Sequence, residues 1–195
     1  MPAVDELVLG EMIRGVEGAT LLPLAREDQC CGFGGSFSVR YPEISGAMVS
    51  DKVKEALAKI LQSLPAMRDV ADTFRLVSRR EIDQGLEDAH TSRMRMAPWV
   101  VAPSALAWSP VHGEEVLVLS GDTPRGALLI ALYPLADGSY SLIGSLESAE
   151  EHTPFVVGYK PDAPTELLFS TCWGCGGEGG AIMAGEDARI AIQPR

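Results

Sequence analysis

The stretch Asp28-Gln29-Cys30-Cys31-Gly32-Phe33-Gly34-Gly35-Ser36-Phe37-Ser38-Val39 places two adjacent cysteines directly before a segment with three glycines in four residues. A loop so rich in glycine is poorly suited to packing a core, because glycine brings no side chain. Glycine instead permits the positive φ angles and the close backbone approach that a tight loop around a ligand needs. Thiolates are the usual ligands of iron–sulfur clusters and of zinc. The stretch therefore points to a metal site, a cluster site or thiol redox chemistry.

The residues on both sides of this stretch predict a helix–strand–loop–helix order. Apolar residues recur at helical spacing from Val4 to Ile13, and Ala19 to Leu24 is a short apolar run typical of a strand. After the loop, Pro42 suits the first turn of a helix, and Pro65 interrupts that helix. Its apolar face is formed by Val53, Leu57, Ile60, Leu61 and Leu64.

Residues 5 to 53 resemble a known family. The motif Cys30-Cys31-Gly32-Phe33-Gly34-Gly35-Ser36-Phe37, with Tyr41 to Met48 and Asp51-Lys52-Val53 after it, is similar to the last part of CCG-type cysteine-rich proteins. Within that group it is most similar to the lactate-utilisation protein A family, which is related to one of the subunits of heterodisulfide reductase. About a quarter of the chain takes part in the resemblance.

The resemblance implies a redox component of L-lactate oxidation that works with partner protein subunits. Cys30, Cys31, Gly32, Gly34 and Gly35 would form the cofactor-binding loop, and the cofactor would be an iron–sulfur cluster or zinc. The chain would be at most one component of an oxidoreductase, since it is short for the family, and its catalytic residues stay unknown. A protein without any bound cofactor is an equally good expectation, with the loop kept only as an inherited structural element.

A second cysteine pair lies about 140 residues further on, in Cys172-Trp173-Gly174-Cys175. A Cys-x-x-Cys element is a common zinc or redox motif, although a single copy is a weak signal. The candidate metal ligands are therefore Cys30, Cys31, Cys172 and Cys175. Whether the two pairs meet in one four-cysteine site is left open. The alternative for the second pair is a strand-connecting loop with a disulfide or two free thiols.

Residues 98 to 195 have the pattern of an antiparallel β domain. Short β-rich runs recur about every ten residues, and turn signals separate them. The predicted strands are 99–101, 115–119, 127–133, 140–144, 155–159, 167–170 and 189–192. The predicted turns are Gly121-Asp122, Asp137-Gly138, 160–164 and Gly176-Gly177, with Asp137-Gly138 as the clearest hairpin signal.

The predicted fold class is thus α+β, with a helix–strand–loop–helix segment followed by an antiparallel meander, sandwich or barrel. We predict a CCG-like segment at residues 1–64, a helical linker at 65–97 and an antiparallel β domain at 98–195. Helical character in the linker is expected from Ala66 to Met94.

The amino-acid composition limits the classes of partner and the cellular location expected for this protein. The net charge of −11 argues against nucleic acid and against an anionic membrane surface, because both attract basic proteins. No apolar run is long enough for a transmembrane helix, and the acidic N-terminus lacks the basic start of a signal peptide. We therefore expect a cytoplasmic protein.

A second function fits the same sequence. The β half would then be the working part of a non-catalytic binding or interaction protein, and the Cys-Cys-Gly motif would be a structural remnant.

Overall fold

The structure is a computed structural model, and it describes residues 35–91, 100–109, 115–148, 153–160, 163–171, 179–184 and 190–194. Within these residues, three α-helices precede most of the strands: α1 (Gly35–Arg40), α2 (Pro42–Ser63) and α3 (Arg79–Thr91). The strands are β1 (Arg75–Leu76), β2 (Val100–Val101), β3 (Ala105–Trp108), β4 (Val116–Thr123), β5 (Gly126–Pro134), β6 (Tyr140–Ser148), β7 (Val156–Lys160), β8 (Ala163–Ser170), β9 (Gly179–Ala184) and β10 (Ile190–Pro194).

Helix α2 forms where the sequence predicts it. Pro42 occupies its first turn, and the helix ends at Ser63, two residues before Pro65. Leu61 and Leu64 are buried, and Leu57 and Ile60 pack against the same cluster. Val53, which is predicted on this face, is instead 42% exposed because it lies beyond the edge of the cluster.

Two predictions for the helical half are wrong in part. The loop expected to run through Val39 is replaced from Gly35 onward by α1. The helix expected from Ala66 to Met94 is interrupted, because only a 3-10 turn (Pro65–Met67) and α3 are helical among its described residues. Residues 68–78 between them form turns and β1, which pairs with β4. Buried Val70, Ala71 and Phe74 hold this connection against the first sheet.

The strands form two antiparallel sheets, and both are open. The first sheet has the order β1-β4-β5-β6, with β3 also paired to β4. The second has the order β10-β9-β8-β7-β2. All seven strands predicted within residues 98–195 are present with somewhat different bounds, whereas β1, β3 and β9 are additional. The helix predicted from Val4 to Ile13 and the strand predicted from Ala19 to Leu24 lie outside the described residues. The fold class is α+β as predicted, and among the described residues the strands form two open sheets and no closed barrel.

The turn predictions had mixed outcomes. At Asp137-Gly138 the hairpin is confirmed: Gly138 has a φ of 80°, and the Ser139 amide donates to Asp137 Oδ1 at 2.9 Å. The turn predicted at Gly121-Asp122 is wrong, because both residues lie inside β4 and the chain reverses at residues 124 and 125. The predicted turn at Gly176-Gly177 lies outside the described residues.

Strand β5 lies between two apolar layers. Ala127, Leu129 and Ala131 belong to a cluster that includes Phe155, Phe169 and other residues of the second sheet. Their neighbours along the strand, Leu128, Ile130 and Leu132, belong to a cluster with Leu61, Leu64 and Phe74. Because successive residues of a strand point to opposite faces, the first sheet is covered on both sides. The described core thus has three layers: the α2 segment, the first sheet and the second sheet.

Candidate functional site

The predicted site residues fall almost entirely outside the part of the chain that the structure describes. Cys30, Cys31, Gly32, Gly34, Cys172 and Cys175 all lie in undescribed segments. Gly35 is the first residue of α1. The cysteine site therefore stays a prediction, and so does the question of whether the two cysteine pairs meet. Within the described residues, no group of three or more His, Cys, Asp or Glu side chains is placed to hold a metal ion.

The helices that follow the cysteine motif expose apolar side chains. Val39 is 81% exposed, Ile44 54% and Tyr41 51%. The rings of Phe37 and Tyr41 contact each other, with centroids 5.4 Å apart, so they form one small aromatic surface. Exposed apolar groups that cluster in this way are typical of contact surfaces.

An open cleft of about 850 Å³ lies between α2 and the first sheet. Its walls are residues 50, 51, 53 and 54 of α2, the connection 72–76, and residues 122–126 at the β4–β5 turn. Phe74, Leu76 and Val53 contribute apolar surface, while Asp51, Lys54 and the ion-paired side chains contribute charge. A cleft of this volume is in the range of small-molecule sites in proteins.

Two arginines that line the cleft are held in ion pairs. Arg75 binds both carboxylate oxygens of Glu81, through Nη1 at 3.0 Å and Nη2 at 2.9 Å, and it reaches Asp122 Oδ2 at 3.3 Å. Arg125 donates to Asp69 Oδ2 and to Glu147 Oε1, both at 2.9 Å. A two-point contact fixes the plane of a guanidinium group, so these side chains form a preorganised wall.

Glu81 also caps α3. The Ser78 amide donates to Glu81 Oε2 at 2.7 Å and the Ser78 hydroxyl donates to the same oxygen at 2.6 Å. The Glu81 amide in turn faces Ser78 Oγ at 3.3 Å, which completes a reciprocal capping box. This network is absent from the sequence-based predictions, although the Ser-x-x-Glu spacing at 78–81 is the known signature of such a cap.

Hydrogen bonds from Arg75, and then from Ser78, lower the pKa of Glu81 from its ordinary 4.5 to about 2. The carboxylate is thus favoured in the folded state. A group whose pKa is depressed by folding stabilises the protein above its unfolded pKa, and this contribution is lost as the pH falls toward its folded pKa. The stability that ionised Glu81 contributes is therefore lost as the pH falls from about 4.5 to about 2.

We expect Glu81→Gln to lower the free energy of unfolding by about 1 kcal/mol at neutral pH, because the variant keeps an oxygen that can cap the helix but loses the negative charge of a partly exposed ion pair with Arg75. The loss of stability between pH 4.5 and 2 should become shallower than in the wild type. Urea denaturation at a series of pH values measures both effects. Glu43→Gln is the matched control, since Glu43 is exposed and forms no ion pair with a described residue. An unchanged acid slope in Glu81→Gln would show that the ionised Glu81 carboxylate does not contribute to stability.

Comparison with known proteins defines the class of the N-terminal segment. Residues 8–63 match the family model of the CCG cysteine-rich domain, and this segment includes Cys30, Cys31 and the whole of α2. The predicted resemblance is confirmed over this region. The match covers less than a third of the chain and stops just before the 3-10 turn at Pro65.

The relatives found for the same region include lactate utilization proteins and an uncharacterized protein. Lactate utilization protein A of an Exiguobacterium species is 46% identical over 52 residues, which are 27% of this chain and 21% of that protein. Uncharacterized protein YkgE of Escherichia coli is 55% identical over 42 residues, 22% of this chain and 18% of the relative. Lactate utilization protein A of Shouchella clausii is 52% identical over 42 residues, with the same coverage. The chain thus matches about a fifth of the length of these curated relatives.

No solved structure matches the chain. In the described part of the chain, no helix is long and apolar enough to cross a membrane.

Proposed function

We propose that this chain is a redox component associated with lactate utilization, and that it does not catalyse a reaction alone. The observation that carries the proposal is the match of residues 8–63 to the CCG cysteine-rich domain, with lactate utilization protein A among the relatives. The matched segment contains the adjacent thiols of Cys30 and Cys31. Partner protein subunits belong to the same proposal, because the relatives are several times longer than the matched stretch. We place the protein in the cytoplasm, where thiols stay reduced and free to bind metal.

The donor set decides which cofactor suits the chain. Four thiolates are the usual complement of an iron–sulfur cluster, and zinc takes four ligands of which cysteine is a favoured type. Cys30 and Cys31 supply two thiolates, and Cys172 and Cys175 would supply two more if the pairs converge. We therefore assign any bound metal to the cysteines. A cluster would supply one-electron transfer, and the chain's own part would be to hold and shield it.

A non-catalytic binding role is the second candidate, and the cleft beside α2 favours it. The cleft combines apolar surface from Phe74 and Leu76 with fixed charges at Arg75 and Arg125, which is a common composition for a ligand site. In this case the β layers would be the working part, and the Cys-Cys-Gly motif a structural remnant.

The first experiment is to measure iron and zinc in protein purified without oxygen, together with the visible absorption spectrum of the same sample. The redox proposal predicts iron in the wild type and its loss in Cys30→Ser and Cys31→Ser. Cys172→Ser and Cys175→Ser serve as matched variants, because they lose metal only if the two pairs share one site. One zinc per chain, lost in all four variants, would instead indicate a structural four-cysteine site.

A folded, colourless and metal-free protein would rule out the cluster. The same variants then test the structural role: if Cys30→Ser and Cys31→Ser keep the native circular dichroism spectrum and melting temperature, the motif has no structural part. The cleft would then be the place to search for function, by thermal-shift screening of small molecules against wild type and Lys54→Ala.

A further inference from the structure

The two arginines that line the cleft are each held between two carboxylates. Their partners are Glu81 and Asp122 for Arg75, and Asp69 and Glu147 for Arg125. Each arginine with its two partners therefore has a net charge of −1. A ligand carboxylate that approached either guanidinium group would have to displace one of these partners or lie beside its negative charge. The arginines are thus unsuited to bind an anion, although they are the most basic groups of the cleft.

Two further carboxylates line the cleft without a cationic partner among the described residues. Asp51 is exposed on α2 and forms no hydrogen bond or ion pair with another described side chain. Asp72, on the connection 72–76, accepts a hydrogen bond at Oδ1 from Gln62 Nε2 at 2.8 Å. This amide is neutral, so it fixes the position of the Asp72 carboxylate and leaves its charge uncompensated. The remaining charged side chain that lines the cleft is Lys54, three residues after Asp51.

The charged groups of the cleft give it a net negative charge. When the lining side chains are counted with the carboxylates bound to the two arginines, six are acidic and three are basic. The acidic residues are Asp51, Asp69, Asp72, Glu81, Asp122 and Glu147, and the basic residues are Lys54, Arg75 and Arg125. A recess lined by an excess of one charge concentrates ions of the opposite charge. The net charge of −11 of the whole chain acts in the same direction.

The cleft also offers apolar surface on each of its walls. Val53 is exposed on α2, Leu76 is partly exposed on the connection, and Pro124 is exposed at the β4–β5 turn. An alkyl chain that enters the cleft removes part of this surface from water, which favours binding. The composition of the walls therefore suits a ligand that combines a positive charge with an aliphatic part.

We propose that the cleft between α2 and the first sheet binds a small organic cation, which has a primary ammonium group on a short aliphatic chain. The carboxylates of Asp51 and Asp72 attract the ammonium group, and the aliphatic chain packs on the apolar walls. Lys54 opposes binding and limits the affinity. This inference rests on the second candidate function, in which the cleft is a ligand site, and it names the class of ligand. Lactate and other carboxylates are not ligands of the cleft in this proposal.

Three probes with the same straight alkyl chain test the sign of the charge. Hexylammonium, hexanol and hexanoate are each titrated into the full chain at constant ionic strength, and amide NMR spectra locate the binding. Hexylammonium should shift the resonances of residues 50–54 and 122–126, and it should bind about tenfold more tightly than hexanol. Hexanoate should leave these resonances unchanged. Added salt should weaken the binding of hexylammonium and leave that of hexanol nearly the same.

Charge variants test which side chains are responsible. Asp51→Asn and Asp72→Asn should each weaken hexylammonium binding about fivefold, and asparagine at residue 72 keeps an oxygen that can accept from Gln62. Lys54→Ala should strengthen the binding by a similar factor, which loss of folding could not do. Glu43→Gln is the matched control, because Glu43 is an exposed carboxylate of α2 that does not line the cleft. Its affinity for hexylammonium should equal that of the wild type.

The outcomes that contradict the proposal differ in what else they affect. If hexanol or hexanoate binds in the cleft as tightly as hexylammonium, the ligand class is wrong and the cleft is still a ligand site. An equal loss of affinity in Glu43→Gln and Asp72→Asn would mean that only the overall charge of the chain attracts the cation, and it would overturn the proposal. If none of the three probes shifts the resonances of residues 50–54 and 122–126, the second candidate function fails together with this inference.

Discussion

Leu129→Ala and Ile130→Ala are each expected to lower the free energy of unfolding by about 3 kcal/mol, although they are neighbours that point to opposite faces of β5. Both side chains are fully buried. Leu129 packs in the cluster shared with the second sheet, and Ile130 packs against Leu61, Phe74 and the rest of the α2 layer. In a sheet with one face exposed to solvent, truncation of only one of two neighbouring residues would lower the free energy of unfolding strongly. Equal losses would therefore establish the three-layer packing.

Urea denaturation followed by tryptophan fluorescence measures both losses, and Leu135→Ala is the control. Leu135 follows β5 directly and is 42% exposed, so its truncation should cost well under about 1 kcal/mol. If only one of the two buried truncations is destabilising, one of the two layers does not pack on β5, and the three-layer core is wrong.

Gly121→Ala is expected to lower the free energy of unfolding by about 3 kcal/mol, through overpacking and not through a cavity. A β-carbon at this position would overlap the ring of Phe74 and would lie 2.7 Å from the carbonyl oxygen of Arg75. The ring could move only by disturbing the buried cluster, and the carbonyl belongs to β1, which pairs with β4 at Gly121 itself. The absent side chain of Gly121 is thus what lets the connection 72–76 lie directly on β4.

Gly144→Ala is the matched control for this substitution. Gly144 also lies within a strand of the first sheet, but a β-carbon there would meet only the Ile192 side chain at 3.5 Å, an ordinary contact. Its replacement should leave stability nearly unchanged. Thermal and urea denaturation of the two variants should differ clearly. Similar stability in both would mean that Phe74 does not pack on Gly121.

Periodicity in the sequence was sufficient to predict the strands that are rich in β-branched and leucine residues. It missed β1 and β3 because neither has an apolar pattern of its own: Arg75-Leu76 is too short, and Ala105-Leu106-Ala107-Trp108 contains two alanines. Both are held by pairing with β4, which is a tertiary effect. The turn expected at Gly121-Asp122 is wrong because local sequence shows only a dipeptide common in turns, whereas the packing of Gly121 depends on Phe74, 47 residues away in sequence.

The predictability of the functional residues differs between the two candidate sites. The Cys30-Cys31-Gly32 motif is recognisable from local sequence alone, and its family resemblance is confirmed over residues 8–63. The charged wall of the cleft cannot be recognised from local sequence, because Arg75 contacts Asp122 only when β1 pairs with β4. Its one local component, the Ser78–Glu81 cap, does have a sequence signature, and a search for capping boxes would have found it.

The position of α2 determines which of its residues can be substituted without loss of packing. The family match runs to residue 63, whereas Leu57, Ile60 and Leu61 already pack on the first sheet. One helix is therefore constrained in two ways. It belongs to the cysteine-rich segment that matches the relatives, and its second half packs on β layers that lie outside those matches. Residues exchanged with the relatives should be accepted readily at exposed positions before residue 54. At Leu57, Ile60 and Leu61 a change in side-chain volume would disturb Leu128, Ile130 and Leu132, because all six residues belong to one packed cluster, so substitutions at this end of the helix should be tolerated less well.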